Sequence, residues 1–292
     1  MGRQTQSRNL PGPQLMRGAL IALIVLASAV LYAQLPMEPV HNSGQSITAA
    51  YEGWFGNPDG TFSILFGYYN RNLKQDLDIP VGPNNRIEPG GPDQGQPTHF
   101  LPGRQWGVFT VTVPKDFGSN KVTWSITANG APTQIPAGLD PLWELAPFKD
   151  ATGNTPPWVG FSESGPFAKG PRIVVATMST PVSTPMPLTT WVADDAVRPP
   201  GAPLNRLPPV TVTWSKYRGL GAVNFLTARA GATKADFTAP SGAVFAGKAD
   251  TTATFSEPGE YILRVVGNDW SGEGGGGFQC CWTNAQIKVT VK

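Results

Sequence analysis

The sequence predicts an all-β chain of two tandem β-sandwich domains, the second immunoglobulin-like, and three observations carry that prediction. Of 292 residues, 34 are Gly and 30 are Pro, together nearly twice the roughly 12% of an average chain. Apolar residues, 9 Trp and 14 Phe among them, make up 40% and suffice to fill a core. Beyond residue 33 apolar positions recur with a period of two, and no convincing amphipathic helix of ten or more residues is found.

The first segment carries Arg3, Arg8 and Arg17 without an acidic residue and then runs apolar from Gly18 to Ala33. That order is expected of a secretory signal, residues 1–33, cut near Ala33 ahead of a flexible start at 34–45. The apolar run is shorter than the roughly 20 residues that span a bilayer, which favours cleavage over retention as an anchor. Removing it takes away three of 22 basic and none of 20 acidic residues. The mature chain is then close to neutral and has no basic stripe, which argues against nucleic acid as a partner. An exported product, periplasmic or extracellular, with no membrane segment after cleavage is expected.

In the first domain, residues 46–150, Phe62, Ile64, Phe66 and Tyr68 form one alternating row, and Val122, Trp124, Ile126 and Ala128 another. Ile47 to Trp54 and Trp106 to Val113 are further strands, and Asn57-Pro58-Asp59-Gly60 is a turn. The Pro-rich stretch 78–103 has too much turn chemistry for a tether and is expected to be an ordered loop packed on the sandwich. Residues 151–171, Pro- and Gly-rich, are the expected connection between domains. In the second domain, 172–292, strands are expected at Ile173 to Met178, Leu188 to Ala193, Val210 to Ser215, Val223 to Leu226, Thr251 to Phe255, Tyr261 to Val266 and Ile287 to Val291. Seven strands in this length fit an immunoglobulin-like sandwich. Val-Thr-Trp-Ser occurs at 122–125 and again at 212–215, which fits two related sandwiches with a Trp in a core strand of each.

Trp214-Ser215-Lys216 with Gly219, Gly221, Val223 and Phe225, followed by Ala253 to Asp269, resembles the PKD and REJ-type immunoglobulin-like modules of secreted and cell-surface proteins. The resemblance covers about 172–292. Its most specific part, Glu257-Pro258-Gly259-Glu260-Tyr261, is similar to a tyrosine corner, so Tyr261 is expected to bond back to upstream backbone. Leu263 stands where antibody domains place a disulfide cysteine, which leaves packing around Trp214 to hold the sheets together. Such modules are mostly scaffolds, spacers and binding units.

Alternating strands bring the segments 194–209 and 269–284 to one end of this sandwich, the end on which antibodies mount recognition loops. Cys280 and Cys281 are the only cysteines. A ring between the two neighbours is favoured over links to another chain or free thiols, although adjacent Cα atoms sit closer than in an ordinary disulfide. With Trp270, Phe278 and Trp282 they are candidate contacts for a ligand or partner; equally, Trp282 and one Cys would serve as a plug for the end of the core. Asp194, Asp195, Asp269 and Glu273 are candidate calcium ligands, against which turn formation is the commoner role. No other cofactor is implied. Gly272 to Gly277 matches G-x-G-x-x-G but leads toward a strand, so nucleotide binding is rejected.

The two histidines, His41 and His99, bring no local support for a nucleophilic triad, and neither a G-x-S-x-G elbow nor an H-E-x-x-H helix is present. Glu88, Asp93 and His99 share the Pro-rich loop and are the one cluster with any catalytic prospect. The first expectation is therefore an exported non-catalytic protein that binds a protein or glycan of the cell envelope. The second is a spacer or assembly subunit, for which a homo-oligomer held by sheet edges is expected. The third is a glycan-processing or accessory enzyme, which needs two facing carboxylates.

Overall fold

Period-two patterning turns one face of each strand inward, and the fold follows from pairing those faces. The computed structural model describes residues 41–198, 209–271 and 280–292. The expected signal segment 1–33 lies outside the described residues, as do 34–40, 199–208 and 272–279.

The first sandwich is built from β1 (Ile47–Gly56), β2 (Phe62–Asn70), β3 (Leu77–Asp78), β4 (Asn85–Glu88), β5 (His99–Phe100), β6 (Gly103–Val113), β7 (Val122–Ala128) and β8 (Ala131–Ala137). One sheet has the order β1-β2-β6 and the other β4-β7-β8, while β3 pairs with β5. Ile64, Phe66, Phe109 and Trp124 lie within the core, Phe109 meeting Trp124 edge-on at 5.0 Å between centroids. The Trp124 indole N–H donates to Asn85 Oδ1 at 3.0 Å, so the ring is buried without an orphaned donor. At the outer edge, β8 carries Pro132 and Pro136, and proline is tolerated there because no further strand needs its missing N–H. A 3₁₀ turn, Pro141–Trp143, follows; Asp140 caps it by accepting from Leu142 N at 2.9 Å.

The second sandwich is built from β9 (Trp158–Gly160), β10 (Phe167–Lys169), β11 (Val174–Thr180), β12 (Met186–Asp194), β13 (Thr211–Arg218), β14 (Val223–Phe225), β15 (Arg229–Gly231), β16 (Thr233–Lys234), β17 (Phe245–Phe255), β18 (Gly259–Asn268) and β19 (Trp282–Val291). Its sheets run β10-β9-β12-β17-β14, with β16 also on β17, and β11-β19-β18-β13-β15. The pairing of β12 with β17 in one sheet, β13, β18 and β19 in the other, and β11 parallel to β19 is the immunoglobulin-like arrangement. Each of the seven strands read from the sequence is present. Trp214, 1% exposed, donates to Thr190 Oγ1 at 3.2 Å across the core, matching Trp124 in the first sandwich.

Residues 151–171 differ from the expected connection. They supply β9 and β10, which extend the second sandwich beyond β12, and Val159 is wholly buried in its core. A three-residue strand is too short to show a period, so these residues read as a linker.

The tyrosine corner is formed. Tyr261 Oη donates to Glu257 O at 2.8 Å and accepts from Gly221 N at 3.1 Å. Gly219 and Gly221 lie so close to the Tyr261 ring and hydroxyl that a Cβ on either would overlap them.

Residues 41–292 form one compact unit, and two sets of contacts between the sandwiches account for it. In the first, a bulge in β6 opposite Gly67 sets Gly107 at φ +47° against the indole of Trp282. Asn284 Nδ2 donates to Gly107 O at 2.5 Å, and Arg264 donates to Trp106 O at 3.1 Å. In the second, the Pro-rich loop meets β13. Arg218 pairs with Asp93 at 2.8 Å, Tyr217 Oη donates to Gly95 O, Thr98 N donates to Tyr217 O, and Lys216 pairs with Asp78 at 3.1 Å. The loop is ordered as expected, but it is packed on both sandwiches.

Two stability predictions follow from these contacts. Tyr261→Phe removes both hydrogen bonds of the hydroxyl, leaving Gly221 N without its acceptor and Glu257 O without its donor, so thermal denaturation is expected to show a loss of about 1–3 kcal/mol. Gly107→Ala combines an unfavourable positive φ with overlap on Trp282 and is expected to cost on the order of 2–4 kcal/mol. An unchanged melting temperature for Gly107→Ala would show that this contact does not hold the sandwiches together.

Candidate functional site

The segments leaving β12 and β18 do emerge at one end, and they touch. Trp270 Nε1 donates to Val197 O at 2.9 Å, and the Arg198 guanidinium lies over the Trp270 ring at 5.8 Å from its centroid. Both side chains are half-buried. Phe278 and Glu273 lie outside the described residues.

Cys280 and Cys281 are bonded to each other. They are not a contact face. Cys280, Cys281 and Trp282 are only 4%, 1% and 3% exposed, so the expectation that they meet a partner is corrected. Two neighbours cover them. Trp282 opens β19 and fills the space above Gly107 of β6, while Asn154 of the 151–171 segment lays its carbonyl oxygen 3.6 Å from Cys281 Sγ. The plug reading is the one the geometry supports, and it depends on a contact with the other sandwich that a one-domain reading of the sequence does not contain.

The acidic residues gather at the bases of the same two loops. Asp194 Oδ2 accepts from Ala196 N at 2.8 Å, and Asp195 Oδ1 accepts from Val197 N at 3.1 Å. Asp269 Oδ1 accepts from Ser271 N and Oγ at 2.7 and 2.6 Å, and its Oδ2 accepts from Asn154 Nδ2 at 2.6 Å. All but the Asn154 bond, which ties Asp269 to the 151–171 segment, are turn-forming bonds at the ends of strands. Among the described residues no group of three or more His, Cys, Asp or Glu side chains is disposed to hold a metal ion.

Sequence reasoning missed three members of this cluster. Asn154, Thr155 and Lys169 all come from the supposed connection. Thr155 Oγ1 donates to Asp195 Oδ2 and accepts from Lys169 Nζ at 2.6 Å, and Lys169 sits 3.4 Å from the centroid of the Trp158 ring. The run Asp150-Ala-Thr-Gly-Asn154 carried the available signal, a side-chain turn in which Asp150 accepts from Thr152 and Asn154.

Burial governs the electrostatics here. Desolvation pushes the Asp194 carboxyl up to about 7, helped by the nearby charges of Asp269 and Asp195 and opposed by the Ala196 amide and Lys169. Desolvation also raises Asp269 and lowers Lys169. Asp194 Oδ1 is buried without a protein donor among the described residues. A protonated Asp194 turns that oxygen into, or beside, a hydroxyl and avoids a buried unpaired charge.

Glu88, Asp93 and His99 do not act together. Glu88 pairs with Arg86 at 3.0 Å, Asp93 with Arg218, and His99 Nδ1 with Asp78 at 2.9 Å. Burial lowers the His99 ring below its ordinary value, the Asp78 hydrogen bond opposing that shift.

No family model matches the chain, and no curated protein matches it. Among solved structures it is similar to the D00-D0 domain of intimin, 14% identical over 84% of this chain and all of that one, at a TM-score of 0.24. Domains 4 and 5 of the S-layer protein SbsC are 10% identical over 85% of this chain and 98% of theirs, at 0.22. Cadherin-like domains 1 to 4 of zebrafish RET are 13% identical over 75% of this chain and 46% of theirs, at 0.22. The immunoglobulin-like assignment rests on the strand order given above.

A pH dependence follows from Asp194. Its raised value means that the folded chain retains a proton that the unfolded chain releases. The stability it contributes is full below about pH 4 and is lost as pH climbs to about 7. Asp194→Asn cannot ionise and should stabilise more at pH 8 than at pH 5, by on the order of 2 kcal/mol in the difference. Equal changes in melting temperature at both pH values would show that Asp194 is already charged in the fold.

Proposed function

We propose that this chain is an exported, non-catalytic binding or adhesion protein of the cell envelope, and that its partner-facing end is the one formed by the segments after β12 and β18. One observation carries the reading: the Trp270–Val197 hydrogen bond joins the bases of both loops at the end of a sandwich that is itself fixed to a second sandwich. A rigid base under both segments removes one source of ordering cost on binding.

The contact residues within this proposal are Trp270 and Arg198 rather than the buried disulfide. The expected partner is an envelope protein or glycan. Assignment to the PKD or REJ-type modules belongs to the same proposal and is supported by the turn ahead of Tyr261 and its corner bonds. The Arg-bearing start and the apolar run to Ala33, read as a secretory signal, support export. A spacer role is the second reading, favoured by the interlocked sandwiches.

Replacing Trp270 and Arg198 by Ala alters two half-buried side chains and is expected to abolish retention from envelope extract while leaving the fold intact by circular dichroism. Undiminished retention by the folded double variant would remove this end as the binding site. Failure of the wild type to retain any component, together with a homo-oligomer in sedimentation, would favour the spacer.

A further inference from the structure

The first sandwich has an open cleft of about 760 Å³, lined by Tyr51 of β1, the turn 118–121 ahead of β7, the end of β8 and the strap that follows β8. The strap is built to hold two large apolar side chains in water. Tyr51 Oη donates to Gly138 O at 2.6 Å, Trp54 Nε1 donates to Asp140 O at 2.8 Å, and Leu145 N donates to Trp54 O at 2.8 Å. Gly53, at φ +125°, lets the strap lie against β1, since a Cβ there would overlap Trp143 O and the Leu145 side chain. With Asp140 capping the 3₁₀ turn and Pro141 opening it, Leu142 stands 91% exposed and Trp143 49% exposed. Adjacent large apolar side chains left in water cost stability that hydrophobic burial would otherwise supply. Here five constraints of covalent or hydrogen-bonded origin keep them there.

Around the cleft the chemistry is mixed. Tyr51 and Trp143, 5.3 Å apart between ring centroids, supply aromatic surface. Ser119, Asn120, Lys121 and Asp140 supply hydroxyl, amide, ammonium and carboxylate along the rim. Aromatic surface bordered by donors and acceptors suits a ligand that is apolar on one face and rich in hydroxyls at its edge.

We propose that this cleft is a saccharide-binding site, in which a pyranose ring lays its C–H face on Trp143 and directs hydroxyls to Asn120, Lys121 and Asp140. A proline-rich peptide also stacks on aromatic surface. It offers carbonyl acceptors but few donors to the rim, whereas a sugar hydroxyl serves as donor and acceptor at once. The volume lies in the range of small-molecule sites. This site is on different strands from the loop end and stands or falls independently of it.

The test uses the full chain on an array of soluble neutral and acidic oligosaccharides, followed by calorimetric titration with the best of them and, in parallel, with decaproline. Retention of at least one oligosaccharide is expected. Trp143→Ala should weaken it about tenfold or more, and Asn120→Ala, which leaves the aromatic wall intact, by about threefold. Circular dichroism on both variants separates loss of ligand from loss of fold; should Trp143→Ala unfold, Asn120→Ala and Trp143→Phe decide. Absence of any retained oligosaccharide, undiminished binding by the folded variants, or binding of decaproline alone would each overturn the proposal.

Discussion

A single buried carboxylate sets the relation between the two halves of this molecule. The side chain of Glu52 on β1 is 1% exposed, and it accepts from Arg104 and from the amide of Gly107 at 2.7 Å. Burial pushes its carboxyl up, while Arg104 and the Gly107 amide draw it back. A charge so placed is tolerable only when its hydrogen bonds are complete. Gly67 makes room for it, since a Cβ there would overlap the carboxylate. By holding Gly107 N inward, Glu52 keeps the β6 bulge in the shape that turns Gly107 O toward Asn284 and bares its Cα to Trp282. The second sandwich is positioned by backbone atoms of that bulge.

A second fastening keeps the first from acting as a pivot. The Pro-rich loop reaches β13 through Asp93, Gln96 and Asp78, away from the β6 bulge in sequence and on different strands of the partner sandwich. Two bodies joined at one point swivel, and joined at two they resist bending. The rigidity is of use at the loop end beside the Gly107–Trp282 contact, where Asp194 and Asp269 shape the first turns of the two loop segments and Trp270 ties one to the other.

The strands were legible from alternation where one face is wet, and from runs of strand-forming residues where both are covered. Val122 to Ala128 announces itself by alternation and Tyr261 to Val266 by its apolar, β-branched run, and the repeated Val-Thr-Trp-Ser marks the buried indole of each sandwich. The corner tyrosine was legible too, since its turn precedes it directly in sequence. What escaped was what depends on distant neighbours. Val159 lies in a strand of three residues and shows no period. Glu52 looks like an ordinary polar position in a strand until Arg104 and Gly107 close on it. The cysteine doublet and Trp282 sit at a loop's end, as recognition residues do, and only the approach of β6 and Asn154 from elsewhere in the chain makes them interior.

The prolines of β8 bear on what its open edge can pair with. Pro132 and Pro136 stand four residues apart, so their nitrogens fall on the same side of the strand, the side turned from β7. Between them Gln134 alone has an N–H to offer outward over that stretch. A neighbouring copy sliding alongside finds a margin short of donors, which guards this rim against edge-to-edge pairing.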